Sequence, residues 1–485
     1  MKKQAFNPFL PQDAYIPDGE PHIFGDRVYL YGSHDLEGGR TFCMGDYTVY
    51  SAPVDDLSDW RCEGVTYRAE QDPDYPNHPF MYAPDVVQGN DGKYYLYYCM
   101  SGDFGKGGYH CRISVAVCDT PAGKYEYLGF VKNPDSSPMM KYICFDPCAF
   151  NDNGTIRIYY GTQYMEESAE ELLADKEKMD EAVERFNRTP EQILSYPDNI
   201  SGPCVVTLED DMLTVKEEAH HIIPYEADFG GHEFFEASSM RKVGDKYYFV
   251  YSSQKNHELC YAVSDKPDRD FVFGGTIVSN GDVGVNGVTD DTRMNMTGTT
   301  HGSIIEINGQ WYVFFHRLTH KSDYSRQACA EPITIAPDGS IKQVEITSCG
   351  LNLAPLRAEG RYPATIACHI TNGHMPHGSN KIFTDSFPNV NHRDTPDGRE
   401  RFIAEIADGT LIRYRYFSGK SENIGISYKG NCEGTVTING CSASISPAES
   451  WTDLAVPVNA DGGKYDVTIT YSGSGQLEIK EIFFS

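Results

Sequence analysis

Five polar residues stand at matched positions ahead of five similar segments of the chain. Asp18 precedes Asp26 by 8 residues, Asp85 precedes Gly92 by 7, Asp146 precedes Gly154 by 8, Glu236 precedes Asp245 by 9, and His301 precedes Gly309 by 8. The second residue of each pair closes a tight turn and is followed by an apolar run. With 70 Asp and Glu among 485 residues, any one position is acidic about one time in seven, so four acids in five matched places stand out. Carboxylates gathered in a partly dry pocket push one another's pKa values apart, so one stays ionised while another keeps its proton at neutral pH. The first can activate water and the second can protonate a leaving oxygen, the division of labour in glycosidic bond hydrolysis. Taken singly, each would also serve as a satisfied core carboxylate.

The elements that must position these groups are short β-strands. Gly25-Asp26, Asp91-Gly92, Asn153-Gly154, Gly244-Asp245 and Asn308-Gly309 are turn pairs, each leading into a Tyr-, Val- or Phe-rich run such as Lys93-Tyr94-Tyr95-Leu96-Tyr97. Their second residues are spaced by 66, 62, 91 and 64 residues. Five similar hairpins at a long, nearly regular period predict sheets stacked into a ring, a five-bladed β-propeller over 1–350. Unrelated hairpins in a sandwich are the alternative. The period exceeds the usual blade of about 40–50 residues, which implies long loops. In the ring, each polar residue heads an innermost strand beside the axis, and all five face one funnel.

The long interval holds the one clear helical stretch, at about 165–198. Ser168 and Glu171 form a capping box, Leu172, Leu173, Met179, Ala182, Val183 and Phe186 follow roughly at helical spacing, and Thr189-Pro190 opens a second short helix. It reads as an insertion in the third blade with a solvated charged face. From about Leu351 the strands become closer, alternating and separated by Gly-rich turns. Residues 351–485 are predicted to form a second all-β domain, a jelly-roll-like sandwich.

Composition narrows the partners. The net charge of −29 opposes binding to nucleic acid or to an anionic membrane. No apolar run approaches the roughly 18 residues of a spanning helix, and the basic start Met1-Lys2-Lys3 has no apolar run behind it, so no signal peptide is read there. The 14 cysteines are scattered, many in apolar runs, with no CxxC pair. They point to reduced thiols and a cytoplasmic enzyme, without a structural zinc.

With these residues in view, the chain resembles glycoside hydrolase family 43, the five-bladed propeller family of arabinofuranosidases and xylosidases, from Asn7 to about Gly350. Asn7-Pro8-Phe9-Leu10 through Ile16-Pro17-Asp18, with Gly25-Asp26 behind it, is similar to the family's opening motif, and the resemblance makes Asp18 the catalytic base. Phe145-Asp146-Pro147 resembles the motif of the auxiliary acid, and Glu236 with Gly244-Asp245 the segment of the general acid. Thr300-His301-Gly302-Ser303 resembles the blade-five motif whose imidazole sits near an axial metal, so the resemblance implies His301 as a metal ligand and a calcium ion in the axial channel as cofactor. An axial His holding a water or a carboxylate is the alternative. His316-Arg317 matches the arginine expected to bind the sugar, and Tyr82-Ala83-Pro84 with Asp85 the blade-two substrate motif, where many members carry Trp. Pro17-Asp18-Gly19 replaces the commoner Asp-Pro-Ser. The implied activity is exo-acting, inverting release of α-L-arabinofuranose from oligosaccharides, with β-D-xylosidase or dual action as the alternative. A non-catalytic sugar-binding propeller and an interaction scaffold are the readings from other classes. The second domain resembles carbohydrate-binding sandwiches in outline, but with few evident aromatic platforms beyond Trp451 a purely structural role is the equal alternative.

Overall fold

Asn-Gly and Gly-Asp turns set the fold's basic unit. Asn153 and Gly154 both have positive φ (51° and 95°), as do Asn308 and Gly309 (51° and 81°). That conformation matches the twist of two antiparallel strands, and Asn and Gly adopt it with least strain. Thr155 accordingly pairs with Asp152, and Gln310 with Ile307, across two-residue turns. Blade two differs: Gln88 pairs with Tyr94, leaving a five-residue loop around Asp91-Gly92.

The computed structural model describes residues 4–485; the basic start Met1-Lys2-Lys3 lies outside the described residues. Four antiparallel meanders of four strands begin with Glu20–Phe24, Phe80–Gln88, Cys148–Asp152 and Phe234–Val243. A fifth sheet holds Ser303–Ile307, Gln310–Leu318 and Arg326–Ile333. Apolar side chains of neighbouring sheets interlock in turn. Tyr31, Val49, Val86 and Leu96 join blades one and two. Val115 and Ile158 join two and three, Tyr159 and Phe249 three and four, and Val250 and Val313 four and five. Val28, Leu30, Phe314 and Ala328 join the fifth back to the first. The chain is thus a five-bladed β-propeller followed by a sheet-rich C-terminal domain.

The seam between first and fifth blades is fastened by the N-terminal segment. Phe9 N–H donates to Ala328 C=O at 3.2 Å. The Asn7 side-chain amide donates to Ala330 O (3.0 Å), Glu331 Oε1 (2.9 Å) and Thr347 O (3.1 Å), and its oxygen accepts from Ala330 N (2.9 Å). This covers an outer strand edge that would otherwise be open. Asn7→Ala orphans several buried groups at once and is expected to destabilise the protein by about 2–4 kcal/mol. A lowered urea midpoint at unchanged slope checks this.

Three short helices, Ala169–Ala174, Lys176–Phe186 and Pro190–Leu194, interrupt blade three. Ser168 and Thr189 each close a capping box, with Glu171 and Gln192. Leu172, Met179, Ala182, Phe186 and Ile193 pack on Ile143 and Ile200, with Tyr109 against the same cluster. In the second domain, ten strands pair around one apolar core. Two of them, Leu411–Gly430 and Ala448–Ser474, are long and pair along most of their length with several register shifts.

Candidate active site

Backbone irregularity at the heads of the innermost strands aims the carboxylates. Asp18 and Asp146 take positive φ (57° and 42°), and so does Ala237 (68°), the residue after Glu236. Pairing between Phe234–Val243 and Lys246–Ser253 shifts register on both sides of Glu236, a bulge that turns its side chain off the sheet. The bulged Ala237 N–H donates to Asp146 Oδ2 at 3.2 Å, locking blade four to blade three. Left-handed backbone at three non-glycine positions costs about 1–3 kcal/mol each and is held by the surrounding structure. Gly302 lets the chain carrying His301 pass: a Cβ there would lie 1.9 Å from Phe314 O.

Asp18, Asp146, Glu236 and His301 meet in a pocket of about 190 Å³, the size of one monosaccharide rather than a chain. Tyr82, Tyr109, Phe42, Phe145 and Phe235 form its walls. Phe145 is the keystone, with ring centroids 4.9 Å from Tyr109 and 6.0 Å from Tyr82. The helical insertion backs this wall through Phe186, 6.4 Å from Tyr109. Among the described residues, the buried Tyr82 Oη and Thr299 Oγ1 on this lining have no hydrogen-bond partner. A larger cavity of about 780 Å³, between blade five and the second domain, contains none of these carboxylates.

Charge in the pocket is unevenly distributed. Burial is the largest single influence on Asp18 and opposes its ionisation, but Arg326, His316 and His301 together outweigh it, and the pKa falls below the ordinary aspartate value. Arg326 Nη1 donates to Asp18 Oδ1 at 2.8 Å, and its Nε and Nη2 grip both oxygens of Asp35 at 2.9 Å. His316 accepts the Asp18 N–H on Nδ1 (3.2 Å) and faces Thr299 O through Nε2 (2.8 Å). Burial lowers its pKa to about 3, so it is neutral and Arg326 carries most of the effect. Glu236 is driven the other way, well above the carboxylate range, by burial and then by Asp146. Asp146 rises to about 7, chiefly through burial, with Asp18 contributing. One carboxylate is held ionised and another held protonated in the same pocket.

His301 lies among acids: Nδ1 is 3.7 Å from Asp146 and 4.0 Å from Asp18, and Nε2 is 3.8 Å from Glu20 Oε1. Burial works against its proton, but Glu20, Asp146 and Asp18 overcome it and raise the pKa to about 9. His301 Nε2 and Glu20 Oε1 are both buried without a hydrogen-bond partner among the described residues. They face each other as an ion pair at 3.8 Å; a cation held between them would take the place of the imidazolium proton as the local positive charge.

Two expected sugar contacts lie elsewhere. Asp85 sits inside its strand, beyond a register shift at Tyr82, and its oxygens go to Val86 N (2.7 Å), Ala149 N (2.8 Å) and His22 Nε2 (2.6 Å). It is an axial strut between blades, not a pocket residue. Arg317 faces away from the pocket and donates to the carbonyls of Ala367 and Cys368 (2.9–3.2 Å). Successive residues of a strand point to opposite faces, so with His316 turned to Asp18, Arg317 must turn toward the second domain. The guanidinium in the pocket belongs to Arg326, which sequence reasoning missed. Its one signal is a charged residue two places ahead of the apolar run Ala328-Cys329-Ala330.

Comparison with known proteins matches this architecture. The family model for glycosyl hydrolases family 43 matches residues 6–187 and 186–341. The chain is 40% identical over 509 residues to a xylosidase/arabinosidase of Thermoclostridium stercorarium, covering 99% of this chain and 98% of that protein. It is 31% identical over 351 residues to xylosidase/arabinosidase 43A of Humicola insolens, covering 68% of this chain and 97% of the relative. Among solved structures, a β-xylosidase/α-arabinofuranosidase from a compost metagenome, a calcium-free form with xylotriose, aligns with TM-score 0.52 at 28% identity, over 71% of this chain and 98% of that one. A Xanthomonas citri enzyme complexed with xylose aligns with TM-score 0.52 at 25% identity, over 69% and 91%.

Proposed function

Because the chain belongs to glycosyl hydrolases family 43, we propose that it removes single terminal pentoses, α-L-arabinofuranose and β-D-xylose, from the non-reducing ends of oligosaccharides with inversion. The carrying observation is the opposed ionisation of Asp18 and Glu236 in a pocket with room for one sugar. Ionised Asp18 takes a proton from water as the water oxygen bonds to the anomeric carbon. The bond from that carbon to the glycosidic oxygen breaks, and Glu236 delivers its proton to the departing oxygen. Asp146 keeps Glu236 protonated and, through Ala237 N–H, in place. Arg326 keeps Asp18 ionised, and the surrounding carboxylates favour the positive charge that develops on the sugar ring. Tyr82 Oη and Thr299 Oγ1 serve as hydroxyl contacts. His301 and Glu20 would hold a hydrated calcium ion, which would supply fixed positive charge to the site.

The pairing of both sugars rests on the relatives named for both activities and on neighbours crystallised with xylose or xylotriose. All fourteen cysteines are free and eleven are buried, which supports a cytoplasmic enzyme acting on imported oligosaccharides. Among the described residues no helix is long and apolar enough to cross a membrane. The test is turnover of 4-nitrophenyl α-L-arabinofuranoside and β-D-xyloside, with proton NMR following the first-formed anomer. An inverted first product is expected. Retention would reject the mechanism, and no turnover of either glycoside would favour a sugar-binding propeller.

Asp146→Asn isolates the auxiliary role. Asn tolerates positive φ and still accepts from Ala237 N–H, so only the charge is lost. Without that neighbouring negative charge Glu236 releases its proton at lower pH. The alkaline limb of kcat/KM is therefore expected to move to lower pH by about one unit or more, read from a pH–rate profile.

A further inference from the structure

Part of the pocket mouth comes from the second domain. The chain between strands His369–Thr371 and Asn389–Thr395 leaves its own sheet and crosses to the propeller. It is fastened on both sides: Thr297 N donates to Pro376 O and Gly378 N to Thr297 O, each at 3.1 Å. Further on, Asp323 N donates to Lys381 O (3.0 Å), Lys381 N to Asp323 Oδ2 (2.9 Å) and Phe383 N to Lys321 O (2.9 Å). Met375, Phe383 and Phe387 pack with Met296 and Leu318 beneath it. Between these anchors Ser379 and Asn380 line the pocket. Asn380 is exposed, has φ 56°, and its amide makes no hydrogen bond among the described residues.

Phe104 also lines the pocket, from a loop of blade two. The residue is 54% exposed; its ring meets Tyr324 edge-on at 6.3 Å between centroids, and its backbone N–H donates to Thr41 Oγ1 at 2.6 Å. A large, half-exposed apolar ring at the rim of a carboxylate pocket is a surface for a ligand to cover. The inner pocket has room for one pentose, so whatever lies beyond the scissile oxygen must emerge between the exposed rim groups.

We propose that Phe104 and Asn380 form the subsite for the departing sugar, Phe104 stacking on its ring and the Asn380 amide hydrogen-bonding its hydroxyls, so that the second domain helps select the substrate. This rests on the pentose-releasing reading above. The chosen variant is Asn380→Gly, because glycine keeps the left-handed backbone while removing the amide. The measurement is kcat/KM on xylotriose and on the 4-nitrophenyl glycoside of the same pentose, whose leaving group offers no hydroxyl at that place. The oligosaccharide-to-aryl ratio is expected to fall about five- to tenfold, the worth of one or two hydrogen bonds. Phe104→Ala is expected to lower kcat/KM about tenfold on both substrates, since both leaving groups stack. Inhibition by free pentose, which fills only the inner pocket, is expected to change by less than about twofold in both variants. Thermal midpoints confirm folding. An unchanged ratio in folded Asn380→Gly, or pentose inhibition weakened as much as turnover in Phe104→Ala, overturns the subsite while leaving the reaction intact. Wild-type protein inactive on both substrates overturns both readings.

Discussion

Glu236→Gln is expected to lower kcat/KM on xylobiose and on arabinose-bearing oligosaccharides by about a thousandfold, within the range attributed to a general acid. The loss should depend on the leaving group. A sugar alkoxide cannot depart without a proton, whereas a dinitrophenolate can. The corresponding dinitrophenyl glycosides are therefore expected to lose no more than about tenfold. The alkaline limb should flatten on those substrates, because the group whose proton was lost there has gone. Gln retains the shape of Glu and occupies the same bulge, so the far-UV spectrum should not change. Comparable losses on both leaving groups would remove Glu236 from the role of proton donor.

Asp18→Asn is expected to be more damaging and less discriminating. Asn cannot take a proton from water, and no leaving group relieves that need. Losses of about 10⁴-fold are expected on oligosaccharides and dinitrophenyl glycosides alike. Asn is also the substitution the backbone best accepts, since it tolerates the 57° φ at this position. Arg326 would lose one carboxylate but keep the two-point grip of Asp35 at 2.9 Å, so the protein should remain folded. Activity surviving within tenfold in a correctly folded variant would exclude Asp18 as the base. The contrast between the two leaving-group profiles separates base from acid more sharply than either loss alone.

How far the sequence alone reached depended on whether a signal was local. Turn pairs and Tyr-rich runs are local chemistry, so the five hairpins and the helices capped by Ser168 and Thr189 could be read directly. Counting back from each turn reached Asp18, Asp146, Glu236 and His301 because those strands are of similar effective length. It reached Asp85 too, but the blade-two strand runs from Phe80 to Gln88 and shifts register, which puts Asp85 below the pocket and Tyr82 beside it. The family resemblance points to Arg317 as the sugar-binding arginine at the end of the fifth hairpin, yet alternation along a strand sends it and His316 to opposite faces. Phe104 and Asn380 carry no local signature, and Arg326 only the weak one of a charge heading a strand. They arrive through a third strand, a loop, and a segment of another domain, and only the closed fold makes them neighbours.

Ring closure gives the activity a weak point separate from overall stability. Asp18 belongs to the first sheet while Asp146 and Glu236 hang from the third and fourth, so the trio exists only while the circle is shut. The clasp is a short stretch around Asn7. Slackening there would pull the base away from its partners while every sheet kept its own hydrogen bonds. Inactivation on warming should therefore run ahead of the loss of β-signal in circular dichroism. Lengthening the working life of the catalyst becomes a matter of reinforcing one seam rather than the whole body.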